Sequence, residues 1–260
     1  MKYLCLLRYV GTHFHGFQAQ PGKRTVQGEM TRVMREFFDT EVSVTGCSRT
    51  DSGVHAEGFC LTVALGDGSL PVPPEKLPQA VAPYLPPDLS VVEAQAVADG
   101  FHPRYDAVKK EYRYLIYPNR VMNPFYRNRA WHVFVPFLPD ALEKMNEAAA
   151  HLVGTHDFSA FRAEGSPTRS PVRTVFRCAV KREGDFYRLE IEGDGFLYNM
   201  VRIVTGTLVA VGTGKLSSDD VKKALESRAR TAAGATAPPD GLYLHRVTYN
   251  EADFLKETRE

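Results

Sequence analysis

The spacing of apolar positions along the chain switches between two periods, and the switches mark out the elements. Residues 2–10 have the β-branched and aromatic content of a strand and run into a turn-rich stretch, 11–22. Val26, Met30, Val33, Met34, Phe37 and Phe38 then recur at helical spacing, with Thr25 placed to cap the first turn. Strands are predicted at 42–45 and 59–65, the second alternating Phe59, Leu61, Val63 and Leu65, and the Gly-, Ser- and Asp-rich residues 46–58 between them read as a loop. A short helix at 75–82 is bracketed by prolines, and 91–97 reads as a strand. The second half continues with a strand at 110–117, a helix at 139–152, a hairpin of 174–181 and 186–192, a strongly apolar helix at 197–211, a helix at 217–227 opened by a Ser217–Asp220 capping box, and a strand at 242–249. Strands outnumber helices, and the connections suit antiparallel sheets covered by helices. The fold class is therefore α+β, with two lobes, 1–103 and 104–260.

Composition narrows the picture. The chain has 260 residues, 43% of them hydrophobic and 24% charged, enough to bury a sizeable core and incompatible with disorder or a disulfide-stapled scaffold. Cys5, Cys47, Cys60 and Cys178 never fall as C-x-x-C, so they read as reduced thiols in a cytoplasmic protein. No stretch approaches 18 apolar residues and no cleavage site follows the N-terminus, so neither a membrane span nor a signal peptide is expected.

The net charge of +1 hides an asymmetry, with 8 Lys+Arg against 11 Asp+Glu in residues 1–100 and 24 against 20 in the remainder. Residues 104–129 carry Arg104, Lys109, Lys110, Arg113, Arg120, Arg127 and Arg129, and 162–182 carry Arg162, Arg169, Arg173, Arg177, Lys181 and Arg182. Both are interleaved with Tyr and Phe, the mixture that grips phosphates and stacks on bases, although charge alone also describes a solvated strand face.

The informative loop is Ser48-Arg49-Thr50-Asp51-Ser52-Gly53-Val54-His55. Its Asp51-Ser52-Gly53 has the form of an aspartic-protease half-site, but no second copy exists to share the proton. Asp51 with His55 lacks the spacing of a metal pair. Residues 212–215, Gly-Thr-Gly-Lys, fail as a phosphate loop because Val209 and Leu216 stand where Gly and Ser or Thr belong. Taken alone, Asp51 is a turn former.

Read whole, the loop resembles the R-T-D-x-G-V-H signature of the tRNA pseudouridine synthase A (TruA) family. The resemblance extends, in order, to residues 7–18, to Phe101-His102-Pro103-Arg104-Tyr105-Asp106-Ala107 with 109–116, to 156–162, to Phe196-Leu197-Tyr198-Asn199-Met200-Val201-Arg202, and to 236–244. One departure is Ser48, where the family usually has Gly; a positive φ at that site would strain a side chain. Cys47 likewise replaces a common small residue.

The resemblance implies a pseudouridine synthase fold with an active-site cleft between two lobes. It implies isomerisation of uridine in the anticodon arm of tRNA, at positions 38, 39 and 40, by a homodimer with no metal or organic cofactor. It assigns Asp51 as nucleophile or C2′ base and Tyr112 as the residue that packs on the target base and helps move the C5 proton; Arg202, on the apolar helix 197–211, is chosen as the cation that keeps Asp51 ionised, the alternative being an arginine that snorkels at the helix edge. Arg49 is assigned to base flipping and Leu197 and Met200 to the uracil pocket, while Arg104, Lys109 and Lys110 are expected on the RNA. Two rival classes are a tRNA-holding protein without chemistry, disfavoured because Asp51, Tyr112 and Arg202 are all present, and a nucleoside hydrolase, for which no carboxylate cluster is seen.

Overall fold

The computed structural model describes residues 1–165 and 170–250. The chain separates into two compact units, Met1–Val108 joined by the residues from Leu244, and Lys109–Tyr243. The closing strand, read in sequence with the second lobe, thus belongs mainly to the first unit.

In the first unit β1 (Lys2–Tyr9) is flanked by β3 (His55–Leu65) and β4 (Leu89–Val97), both antiparallel to it, with β2 (Val42–Gly46) paired to β3 and β10 (Leu242–Thr248) on β3's other side. The helix α1 (Val26–Phe38) starts where expected, because Thr25 accepts the Gly28 N–H at 3.2 Å and spends a side-chain oxygen on an orphan donor. It buries Val26, Met30, Val33 and Met34. The predicted helix at 75–82 divides into a 3₁₀ turn, Pro74–Lys76, and α2 (Leu77–Val81). β3 begins four residues earlier than its alternation suggested. Gly58 hides the pattern, since a Cβ there would lie 2.3 Å from the His245 carbonyl oxygen of β10, and only glycine admits so close a strand. The loop expected over 46–58 contracts to 47–54.

In the second unit the order is β5 (Lys109–Tyr117), β9 (Phe186–Gly193), β8 (Val172–Glu183) and β7 (Gly154–Asp157), antiparallel throughout, with a two-residue β6 (Trp131–His132) parallel to β5. The short β6 and β7 had no clear period in the sequence. The helix α3 (Ala141–Ala150) is shorter at both ends than the predicted 139–152, and Asn146 ties it to β8 by donating to the Val180 carbonyl and accepting the Val180 N–H, each at 2.9 Å. The apolar helix α4 (Met200–Gly212) starts three residues later than expected, because Asn199 adopts a left-handed φ of 60° that no continuous helix contains. Buried Thr205 and Thr207 satisfy their hydroxyls on the carbonyls of Val201 and Ile203. α5 (Ser218–Ser227) carries the predicted capping box, with Ser217 just outside the helix as its cap.

Candidate active site

Asp51 lies in the first unit, half-buried, at the head of a turn in which the Val54 N–H donates to the Asp51 carbonyl at 3.2 Å. Gly53, third in that turn, has a φ of 83°, the conformation that makes glycine the residue of choice there. The turn hangs on the segment 11–17. Phe14's carbonyl accepts from both the Gly53 N–H and the Ser52 hydroxyl at 3.3 Å, and the Phe17 N–H donates to the Thr50 carbonyl at 3.1 Å. Approach is so close that a Cβ on Gly11 would lie 1.9 Å from the Val54 oxygen, and one on Gly16 2.6 Å from that of Thr50. The two motifs, separate in sequence, are therefore one packed structure.

Below the turn, the hydroxyls of Tyr9 and buried Thr50 meet at 2.8 Å, and the Tyr9 and Phe17 rings pack on Phe59. His55, 1% exposed, accepts the Gly11 N–H on Nδ1 at 3.0 Å, which ties the start of β3 to the same glycine-punctuated segment. Arg24 lies 4.1 Å over the Phe14 ring and is forked onto Asp88. Sequence reading gave Tyr9 and Phe14 no role beyond their place in the matched segment 7–18, and it passed over Arg24. Ser48 is outside the left-handed region, so its departure from the family Gly carries no backbone strain. Arg49 is exposed, and no ion pair or hydrogen bond holds its side chain among the described residues.

The second unit carries Tyr112, Leu197, Met200 and Arg202. Tyr112 on β5 is 7% exposed and meets Phe196 edge to face at 5.2 Å, a partner the sequence did not single out. Leu197 and Met200 are buried on either side of the left-handed Asn199. That kink has a use: the Asn199 side chain accepts from Arg202 Nη1 at 2.8 Å while Arg202 Nε donates to the Ala237 carbonyl at 2.7 Å. Two bonds from adjacent guanidinium nitrogens fix its plane. Ala237 returns the contact by donating its N–H to the Arg202 carbonyl at 3.1 Å, so residues 236–238 are tied to the first turn of α4.

The basic segments are less uniformly available than their composition suggested. Lys109 pairs with Glu192 at 3.3 Å, and Lys110 is buried. Arg177 bridges Glu111 and Glu190, and Lys181 and Arg188 also reach Glu190, each at 2.9 Å. Burial alone would raise Glu190's pKa, but Lys181, Arg177 and Arg188 together hold it below the usual carboxylate range. Arg104 lies over the exposed Tyr105 ring, 5.8 Å from its centroid, with His102 against the same ring at 4.3 Å. Arg169 falls outside the described residues. No group of three His, Cys, Asp or Glu side chains among the described residues is disposed to hold a metal ion, and no helix there is long and apolar enough to cross a membrane.

Comparison with known proteins places this arrangement. The family model described as tRNA pseudouridine synthase matches residues 6–106 and 148–250, which take in the Asp51 turn, the Arg104 segment and the whole of α4. The tRNA pseudouridine synthase A of Thermoanaerobacter sp. (strain X514) is 45% identical, over 95% of this chain and 98% of its own. Those of Bacillus velezensis and Bacillus subtilis (strain 168) are 45% and 43% identical, over 96% of this chain and all of theirs. Alignment over nearly the full length of both partners, at this identity, is not the sharing of a single motif, and the chain belongs to the tRNA pseudouridine synthase family.

Proposed function

We propose that this chain, an isomerase that converts uridine to pseudouridine in tRNA, acts in the anticodon arm at positions 38, 39 and 40, with Asp51 as the one carboxylate working on the ribose. In the reaction the N1–C1′ bond breaks, its electron pair leaves with the uracil, and C5 forms the new bond to C1′. The C5 proton is then lost and N1 gains one, so no water or cofactor is consumed. A single carboxylate suffices, either by attacking C1′ or by removing the C2′ proton. The observation that carries this reading is the Asp51 turn, whose backbone is anchored at Phe14 and Phe17 so that the carboxylate is presented by a fixed frame.

Within the reading, Arg202 is the cation that opposes the desolvation of Asp51, and its fixed plane suits it to that role. Tyr112 stacks on the base and assists departure of the C5 proton, with Leu197 and Met200 against the uracil. Arg104, on its exposed aromatic pile, contacts RNA phosphate together with the basic residues not spent on Glu111, Glu190 and Glu192; Lys109 and Lys110 contribute less. The enzyme works in the cytoplasm as a homodimer on tRNA and without a metal.

Asp51→Asn, which removes charge and nucleophile but little volume, is the test. Mapping pseudouridine in a tRNA transcript should show formation by the wild type and none by the variant, with tRNA affinity retained. Formation by the variant at an appreciable rate removes Asp51 from the chemistry. Deuterium at C2′ separates the two routes, because it slows the reaction only where that proton is removed.

A further inference from the structure

The stretch 118–136, between β5 and α3, lies in the interval 107–147 that the family model does not match. It contains Arg120, Arg127 and Arg129 and no Asp or Glu. It also exposes large apolar side chains: Phe125 at 88%, Val121 at 74% and Phe134 at 69%. That exposure is imposed by a rigid frame. The Asn123 side chain accepts the Phe125 N–H at 3.1 Å, and the Tyr126 N–H donates to the Asn123 carbonyl at 3.0 Å, closing the turn Pro124–Tyr126. Tyr126 then points inward, packed on Tyr117 and Phe186, with its hydroxyl donating to Asp185 at 3.1 Å. Its neighbour Phe125 is left facing solvent. On the far side His132 Nε2 meets the Asn119 carbonyl at 2.7 Å, and the His132 ring lies between Tyr117 and Phe134.

A fixed aromatic face beside cations is a platform for nucleotides, since every base has a π-face and every linkage a charge. Arg120 and Arg127 are exposed, and no carboxylate pairs with either among the described residues. Two acids of the β8–β9 hairpin, on which Tyr126 packs, are engaged: Asp185 by Tyr126 and Glu183 by Arg188. A second copy docking symmetrically here would oppose arginines to arginines, whereas a polyanion meets them with favourable charge. The platform follows the C-terminal end of β5, five residues beyond Tyr112, or roughly 17 Å along the strand.

We propose that residues 118–134 form a second RNA-contacting surface, with Phe125 stacked on an unpaired base of the tRNA and Arg120 and Arg127 on its phosphates. The inference rests on the reading of this chain as a tRNA-modifying enzyme, which wild-type pseudouridine formation checks separately. Three variants test the surface through tRNA binding over a salt series and sedimentation of the free protein. Arg120→Ala with Arg127→Ala should flatten the slope of log affinity against log salt by about 1.5. Phe125→Leu should weaken binding about tenfold and Phe125→Tyr should not, because stacking needs a ring and apolar packing does not. An unchanged slope, equal affinities for Leu and Tyr, or a change in sedimentation without one in RNA affinity would each overturn the proposal, the last assigning the surface to contact between copies.

Discussion

The guanidinium of Arg24 is forked onto the carboxylate of Asp88, Nη1 to Oδ2 at 2.8 Å and Nη2 to Oδ1 at 2.7 Å. The pair supports the Asp51 turn through Phe14, whose ring lies under Arg24 and whose carbonyl receives two donors from Ser52 and Gly53. The hydrogen bonds from Arg24 hold the Asp88 carboxyl below its ordinary range. Its folded pKa being depressed, the pair's stabilisation is present above about pH 4, the unfolded value, and fades as pH falls through the folded one. Arg24→Ala should cost about 1–2 kcal/mol, since the pair is partly exposed. It should also lower kcat more than it raises KM, because the carboxylate is displaced while RNA contacts remain. Asp88→Asn should flatten the acid limb of a denaturant-midpoint against pH curve; an unaltered limb would show that the pair stores no pH-dependent stability.

Gly206 in α4 tests the proposed role of Arg202 from a distance. A Cβ there would lie 1.8 Å from the Ala235 carbonyl oxygen, so the segment leading to Ala237 must move if the methyl is added. That segment holds Arg202 by its Nε. Gly206→Ala should therefore destabilise the protein by about 3 kcal/mol, the upper end for overpacking. Surviving folded enzyme should have reduced kcat with little change in tRNA affinity. Thermal melts and saturation kinetics measure the two effects, and wild-type kcat in a destabilised variant would mean that Arg202 tolerates a shifted Ala237.

Glu190 makes the opposite kind of contact, one carboxylate shared among Arg177, Lys181 and Arg188 at 3% exposure. Glu190→Gln removes the charge but keeps the shape, and should cost about 2 kcal/mol given that Arg177 and Lys181 are themselves half-exposed. It should also steepen the salt dependence of non-specific RNA binding by releasing cations now held internally. A gel-shift series in increasing salt reads the slope, and an unchanged slope would place this face of the sheet away from RNA.

The internal use of those cations is also where sequence reading reached its limit. Lys109, Arg177 and Lys181 look like a phosphate stripe in one dimension; only the pairing of β5, β9 and β8 brings Glu111, Glu190 and Glu192 alongside them. Long-period elements were legible because helical spacing and capping act locally, as Thr25 and Ser217 show. The start of α4 was not, since Asn199's left-handed turn answers to Arg202 rather than to any period. The Asp51 loop was recognisable by its motif, but its dependence on residues 11–17 is a matter of backbone approach, announced in the sequence by Gly11 and Gly16 alone.

Arg49 tests base flipping separately from chemistry within a single loop. Its side chain is exposed and held by no described partner, so it is available to enter a space vacated by a base. If it fills that space, its contribution scales with how strongly the target uridine is stacked and paired, a few kcal/mol in a stem and less in a loop. Arg49→Ala should then lose much more activity on a uridine at the paired position 39 than on one in an unpaired anticodon-arm context, while Asp51→Asn loses both alike. An arginine that serves Asp51 electrostatically, or binds one phosphate, contributes equally whatever the pairing of the target. Single-turnover rates on the two RNAs decide between them: a larger loss on the stem uridine supports flipping, and equal losses leave Arg49 as an electrostatic neighbour of the carboxylate.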